Sequence, residues 1–210
     1  SAINHEYGHT LGLVDYYDTN GSFSALGSYD MQDGNYGDWN IYSKYSVGWI
    51  NPRVVDEDVF NGNDTYTTTL HSSSINGDAL LIPTRGYDYN GTPFDEYILV
   101  EFFTPDGLNE YDAKKFGLEN TYGVRIYHVN SIYEKRTLNN NDGTTIDIGT
   151  IHYSNSTNSS SLTYGKFLIE VIQSSGTNTL TKPALYPTIL NSDDFFYQGD
   201  VFDVSNYQEF

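Results

Sequence analysis

The segment HEYGHTLGLVD, residues 5–15, restricts what this chain can fold into more than any other stretch. His5 and His9 are four residues apart, so a helix through them places both imidazoles on one face. Gly12 allows the backbone to leave the helix sharply, and Asp15 follows three residues later. The spacing therefore predicts a short helix and then a turn that returns the Asp15 carboxylate to the two histidines.

A histidine pair of this kind is suited to metal binding. Two imidazoles on one helix face can hold one Zn²⁺ at about 2.0–2.1 Å and leave a position for water. Asp15 is the predicted third ligand, and Glu6 is placed to accept a proton from that water while the metal lowers the pKa of the water. The alternative, two surface histidines on a helix that ends at Gly12, leaves the joint spacing of these residue types to chance.

Two short helices separated by a loop are predicted for the first part of the chain. The first helix covers about residues 2–13, and the Gly-, Asp-, Asn- and Tyr-rich stretch 15–40 has the composition of a loop. NIYSKYSVGWINP, residues 40–52, predicts the second helix. Three aromatic residues fall near one face of this helix: Tyr42, Tyr45 and Trp49.

Residues 53–210 are predicted to form an antiparallel, sandwich-like β domain, which makes the fold class α+β and mainly β. Short runs rich in β-branched and aromatic residues alternate there with Gly, Asn and Ser clusters. The predicted strands are DTYTTTL (64–70), GDALLIPT (77–84), DEYILVEFF (95–103), YGVRIYHV (122–129), DIGTIHYS (147–154) and GKFLIEVIQ (165–173). The polar clusters NNNDGTT (139–145) and SNSTNSSS (154–161) predict loops or hairpin tips.

Composition excludes several classes of protein. The formal net charge of −18 repels phosphate backbones and anionic membranes, which argues against nucleic-acid and membrane-surface partners. The chain has no cysteine, so disulfides and thiolate metal ligands are excluded. No apolar run approaches the roughly 20 residues that a transmembrane helix requires. The first residues do not form a signal peptide, so export would require a signal upstream of Ser1.

Other polar residues carry weaker signals. The acidic and amide residues that crowd the loop after the first helix are either Ca²⁺ ligands or partners in Asx turns. These residues are Asp15, Asp18, Asn20, Asp30, Asp33 and Asp38. His71, His128 and His152 lie in or beside predicted strands and receive no role. Glu96 and Glu101 flank an apolar strand and are interpreted as solvated strand-end charges.

Met31, the only methionine of the chain, lies in GSYDMQDG, residues 27–34. This arrangement resembles the Met-turn of metzincins, where a methionine lies beneath the metal-binding imidazoles. HEYGHTLGLVDYYD, GSYDMQDG and YSKYSVGWINP are similar to successive landmarks of the immune inhibitor A-like family of secreted bacterial zinc metallopeptidases. DALLIPT, EYILVEF, YGVRIYHVN and FFYQGDVF resemble the β-rich region that follows in that family, so the resemblance covers nearly the whole chain.

The resemblance implies a zinc endopeptidase that acts on protein or peptide substrates. His5, His9 and Asp15 would be the zinc ligands, and Glu6 the general base. Residues 1–52 would be the C-terminal, lower part of a zincin catalytic domain, with its active-site helix, Met-turn and second helix. The upstream half of that domain would then be a partner, and this chain alone is expected to be inactive.

Two alternatives remain open at the level of sequence. Some metzincins carry a tyrosine two residues after the methionine, but Asp33 stands there, which leaves Tyr36 as the candidate oxyanion donor. The whole chain could instead be a non-catalytic, Tyr-rich β module that binds polysaccharide or protein, or braces a catalytic half from another chain. A relict helix would be free to lose one of the four site residues, and their joint presence favours the enzyme.

Overall fold

The computed structural model describes residues 2–60, 62–84, 89–140, 142–151 and 167–207. The α-helices among them are α1 (Ala2–Thr10), α2 (Ile41–Ser46), α3 (Glu57–Phe60), α4 (Ser73–Asn76) and α5 (Glu110–Phe116). The strands are β1 (Arg53–Val54), β2 (Leu80–Pro83), β3 (Glu96–Phe103), β4 (Gly123–Asn130), β5 (Tyr133–Asn139), β6 (Thr145–Ile151) and β7 (Ile169–Ile172). Three 3₁₀ turns cover Gly107–Asn109, Ser192–Asp194 and Val204–Asn206. The fold is therefore mixed α+β, as the sequence predicts.

The two predicted N-terminal helices are confirmed, and both are shorter than predicted. α1 ends at Thr10, and Gly12 beyond it adopts a φ of 93°, a conformation that residues with a side chain rarely take. α2 begins after Asn40, whose side-chain oxygen accepts a hydrogen bond from the Ser43 N–H at 2.9 Å and caps the helix. The boundaries thus follow from a left-handed glycine at one helix and an N-cap at the other.

One of the three aromatic residues predicted to share a face of the second helix does not lie on the buried face. Tyr42 and Tyr45 of α2 are buried, whereas Trp49 is half exposed and packs edge-on against Trp39 with ring centroids 5.3 Å apart. Trp49 follows the end of α2 and therefore does not share its buried face. α1 buries only His5 and Gly8 of its nine residues.

The five-stranded sheet has the order β1-β2-β3-β4-β7 and is antiparallel except for the parallel pair β1–β2. β5 and β6 form a separate two-stranded hairpin, whose tip includes the predicted polar turn. The predicted strand at residues 64–70 is wrong, because that stretch has no regular secondary structure. Two of its threonines instead accept hydrogen bonds from the Arg53 guanidinium, Thr68 through its hydroxyl at 2.6 Å and Thr69 through its carbonyl at 2.7 Å. A second packed sheet, and hence a sandwich, stays a prediction, and SNSTNSSS lies outside the described residues.

One face of the sheet carries the main core. Tyr97, Leu99 and Phe103 of β3 alternate with less buried neighbours, as strand geometry requires, and pack beside Tyr127 and Val129 of β4. The same cluster also takes side chains from the long loop and from α2. These are Tyr16, Leu26, Tyr29, Ile41, Tyr42 and Tyr45. The predicted loop at residues 15–40 is confirmed, and its side chains pack into this core. The division of the chain into two domains at residue 52 stays a prediction.

The opposite face of the sheet is covered by the C-terminal segment. Ile126 and Ile172 form a second, smaller cluster there with Phe196 and Tyr207. The Val124 and Phe196 backbones also pair through two hydrogen bonds of 2.8 and 2.9 Å. The sheet is thus the central layer. The N-terminal loop and the helices pack on one side together with Leu180, Leu190 and Phe195, and the chain from Phe196 onward packs on the other.

Glu101 and Arg125 form a buried ion pair on the main-core face, which corrects the interpretation of Glu101 as a solvated charge. The Arg125 guanidinium donates to Glu101 at 2.5 and 2.6 Å, and the Tyr127 hydroxyl donates to the same carboxylate at 2.6 Å. Burial opposes ionisation of Glu101, but the charge of Arg125 and these hydrogen bonds outweigh it and lower the pKa of Glu101. Removing one partner would leave an uncompensated charge in the core.

Glu96 is also buried, which corrects its assignment as a solvated strand-end charge. Glu96 lies on β3 and faces His128 on the neighbouring strand β4, a residue to which the sequence assigned no role. The His128 imidazole contacts Glu96 through Nε2 at 3.0 Å and Glu170 of β7 through Nδ1 at 3.4 Å. An ionised carboxylate has no proton to donate and can only accept a hydrogen bond. Both ring nitrogens of His128 therefore donate, and the imidazole carries a positive charge. Burial lowers the pKa of His128, but these carboxylates outweigh it and raise the pKa to about 9.

We expect the contacts of His128 with Glu96 and Glu170 to make the free energy of unfolding depend on pH. The pKa of His128 is raised from 6.5 to about 9 on folding, so its contribution is complete below pH 6.5 and is lost as the pH rises through 9. Between pH 6 and pH 10 the free energy of unfolding should fall by about 3 kcal/mol more in the unmodified chain than in His128→Gln. Urea unfolding of both proteins across this range measures the difference. Parallel pH profiles would contradict the prediction.

None of the described helices is both long and apolar enough to cross a membrane, and the longest, α1, has nine residues.

Candidate metal centre

His5, His9 and Asp15 converge at the end of α1, as the sequence predicts. The Nε2 atoms of His5 and His9 lie 3.1 Å apart. Asp15 Oδ1 lies 2.9 Å from Nε2 of His5 and 3.3 Å from Nε2 of His9. Ligand atoms around a tetrahedral zinc ion with bonds of about 2.0–2.1 Å stand about 3.3 Å apart, so the spacing suits zinc. These three residues are the one such group of histidine and acidic side chains among the described residues.

The outer ring nitrogens fix the tautomer of both histidines. Nδ1 of His5 lies 2.8 Å from the carbonyl oxygen of Met31, and Nδ1 of His9 lies 2.9 Å from that of Leu13. A carbonyl oxygen only accepts, so each Nδ1 carries the proton and each neutral ring turns the lone pair of Nε2 inward. Metal-binding histidines usually make this type of outer hydrogen bond.

Asp15 Oδ1 is a third acceptor atom that a cation at this group would satisfy. This oxygen is buried and has no hydrogen-bond partner. The nearby Nε2 atoms do not satisfy it, because both point lone pairs toward it when Nδ1 carries the proton. Three acceptor atoms that face one another at about 3 Å require a proton or a cation between them. The residues present therefore fit a zinc ion.

The turn after α1 positions Asp15. The N–H groups of Leu11 and Leu13 both donate to the Gly8 carbonyl, at 3.0 and 3.1 Å, which folds the chain back against the helix end. Tyr16 N–H then donates to the Gln32 carbonyl at 3.0 Å. The residues on either side of the centre are thus tied to α1 and to the loop that contains Met31.

Gln32 locks that loop against α1. Its side chain is fully buried, and Oε1 accepts a hydrogen bond from Nε1 of Trp39 at 3.0 Å. A Cβ atom at Gly8 would lie only 2.3 Å from the same Oε1, so the close approach needs a glycine. Gln32 was not predicted from the sequence, although a glycine inside a short helix, which costs about 1 kcal/mol relative to alanine, was an available signal.

Glu6 is exposed on α1, beside the predicted ligands. The hydroxyl of Tyr17 lies near both Glu6 and Asp15: burial first, and then Asp15 and Glu6, raise its pKa. The Tyr17 ring stacks on His5 with centroids 6.3 Å apart. Tyr17 is therefore an aromatic residue of the centre that was not predicted from the sequence.

Tyr36, the candidate oxyanion donor, contacts α5. The Lys115 ammonium lies 3.2 Å from the centroid of its ring, and Phe116 packs edge-on at 5.4 Å. These contacts orient the Tyr36 ring toward α5 and leave the proposed catalytic role a prediction. His152 lies outside the described residues.

The other carboxylates of the loop make local hydrogen bonds or ion pairs, which favours the Asx-turn interpretation over calcium ligation. The contacts join Asp18 to Ser22, Asp30 to Asn40, Asp33 to Ser28 and Asp38 to Lys44. Burial raises the pKa of Asp30 to about 7 and that of Asp33 to about 6, despite these hydrogen bonds. A Ca²⁺ site in this loop stays a prediction.

No family model matches this chain, and neither the characterised proteins nor the solved structures include a significant match. The resemblance to metallopeptidases rests on the sequence motifs alone. The geometry of the three converging side chains is independent of that resemblance.

We expect the chain to bind one Zn²⁺ at this centre. Loss of an outer hydrogen-bond partner of a metal ligand typically weakens metal affinity by up to about 100-fold. Loss of a ligand itself should therefore weaken zinc binding by more than about 100-fold. His9→Ala and Asp15→Asn test this by zinc titration against a competing chelator. The matched control is His71→Ala, because His71 is exposed and pairs with Asp78 away from the centre. Equal affinity in Asp15→Asn would remove Asp15 from the ligand set.

We also expect Gly8→Ala to destabilise the chain, although alanine normally favours a helix. The added methyl group displaces Gln32, with a cost of about 1–3 kcal/mol, and weakens zinc binding by moving the Met31 carbonyl. Thermal unfolding and zinc titration measure the two effects. The control is the same substitution in a Gln32→Ala background, where the cost should be smaller. Stabilisation by Gly8→Ala in the native background would contradict the expectation.

Proposed function

We propose that this protein is a zinc-dependent endopeptidase, in which His5, His9 and Asp15 hold the metal and Glu6 is the general base. The observation that carries the proposal is the convergence of three acceptor atoms, with both histidine tautomers held by backbone carbonyls. The buried Asp15 Oδ1 faces only the two Nε2 atoms, and a bound cation would satisfy all three acceptors at once.

The residues divide the chemistry between them. Zinc bound at the centre would supply a Lewis acid that polarises the peptide carbonyl and acidifies a water. The Glu6 carboxylate, exposed next to His5, takes the proton of the attacking water and passes it to the leaving amine. The hydroxyl of Tyr17 keeps its proton at neutral pH, as tyrosines ordinarily do, and can donate a hydrogen bond to Asp15.

The exposure of α1 supports a reaction on a large substrate. Glu6 and the neighbouring Tyr7 both face solvent, so a polypeptide can reach the helix without a preceding movement of the described residues. A net charge of −18 disfavours nucleic acid and anionic membranes as partners. We further propose secretion from a bacterial cell, on the basis of the motif resemblance and a cysteine-free sequence.

Glu6→Gln tests the catalytic assignment. Glutamine keeps the size of the side chain but cannot accept the proton, so hydrolysis should fall by at least about 100-fold while zinc affinity is unchanged. The assay compares casein hydrolysis by zinc-loaded protein, expressed from its complete reading frame, with and without the substitution. Glu57→Gln is the matched control, because it makes the same chemical change at an exposed helix position that lines neither the metal centre nor a cleft.

The outcomes separate the competing functions. Zinc binding with hydrolysis that depends on Glu6 supports the endopeptidase. Zinc binding with full hydrolysis in Glu6→Gln would assign the base to another residue. Zinc binding without hydrolysis of any protein would favour the non-catalytic binding or bracing module.

A further inference from the structure

A cleft opens beside the metal centre, between the loop that contains Met31 and the start of α5. Its volume is about 470 Å³, within the range of about 300–1,000 Å³ for ligand pockets. Met31, Trp39, Leu108 and Tyr111 supply its apolar wall. Leu108 is 65% exposed and Tyr111 is 78% exposed, so the outer rim presents apolar surface to solvent. We call this feature the Trp39 cleft.

The Trp39 cleft adjoins the residues that hold the metal centre in place. Asn4, which precedes His5 on α1, lines its inner end, and Met31 belongs to both features. Gln32 holds the Trp39 indole at 3.0 Å and lies against Gly8 of α1. A peptide bound across α1 would therefore reach the cleft with a side chain close to the metal centre.

The charges around the cleft select an apolar ligand over a cationic one. Two carboxylates line it, but Asp38 is already paired with Lys44, and Asp112 accepts the Gly37 N–H at 2.8 Å. The Lys115 ammonium lies over the neighbouring Tyr36 ring and would repel a second cation. What remains available is the surface of the indole, the phenol ring and the leucine, which an apolar side chain removes from water.

We propose that the Trp39 cleft binds a large apolar side chain of the substrate, aromatic or leucine, and directs cleavage to peptide bonds beside such residues. This inference names the substrate class and rests on the proposed endopeptidase function. Leu108 and Tyr111 are specificity-determining residues in this scheme, since they form the solvent-exposed rim and take no part in metal binding.

Binding can be tested without metal or catalysis. The probes are N-acetyl-phenylalanine amide, N-acetyl-alanine amide and N-acetyl-arginine amide, titrated in the presence of a chelator. The readout is the NMR signal of the Trp39 indole N–H, assigned by comparison with Trp39→Phe. The phenylalanine amide should bind at least about tenfold more tightly than the alanine amide, because it removes a whole ring from water. Leu108→Ala and Tyr111→Ala should each weaken that binding at least about threefold.

Tyr122→Ala is the matched control, because Tyr122 is a half-exposed tyrosine that does not line the cleft. The inference is overturned if the arginine amide binds as tightly as the phenylalanine amide, or if no probe shifts the Trp39 signal. It is also overturned if Tyr111→Ala and Leu108→Ala bind the phenylalanine amide like the control. Zinc titration of the same variants in separate samples, without probe, is independent, so loss of zinc binding would count against the proposed function and leave the cleft result standing.

In the active protein the same variants should change selectivity. Leu108→Ala and Tyr111→Ala should lower kcat/KM for peptides with phenylalanine beside the scissile bond at least about threefold more than for matched alanine peptides. Equal losses for both peptides would contradict a role in specificity.

Discussion

The hydrogen bond from Nδ1 of His5 to the Met31 carbonyl, 2.8 Å long, is the contact on which the rest of the site depends. It fixes the tautomer that turns Nε2 inward, and it joins a marginal nine-residue helix to a buried loop. Isolated helices of this length are unstable in water, and α1 buries only two of its residues. The loop therefore supplies both the chemistry of the ligand and the stability of the helix that carries it.

The loop can do this because the sheet holds it. Tyr16, Leu26 and Tyr29 pack against the same sheet face that contains the buried Glu101–Arg125 pair. Buried charges with satisfied partners are costly to move, since separation leaves a charge in a medium of low dielectric constant. The strands thus form a rigid layer, and the long loop takes its conformation from that layer more than from regular secondary structure of its own.

The metal centre and the Trp39 cleft share one segment, the loop that contains Met31. The carbonyl of Met31 accepts a hydrogen bond from His5, and Met31 also lines the cleft. Gln32 accepts a hydrogen bond from Trp39 and packs against Gly8. A change that moves this segment should alter metal affinity and side-chain selectivity together, whereas changes at the rim should alter selectivity alone. The separation between these two classes of variant follows from the geometry of a single loop.

Local rules determined the helix, the return of Asp15 and most of the strands from sequence alone, because helical spacing, a left-handed glycine and alternating apolar residues act over a few positions. Only the tertiary structure decided the partners of the charged residues. Glu96 and Glu101 have the spacing of solvated strand ends, yet His128 and Arg125 on the next strand bury them. Strand register places these groups opposite one another, and register depends on pairing between distant segments that no local pattern specifies.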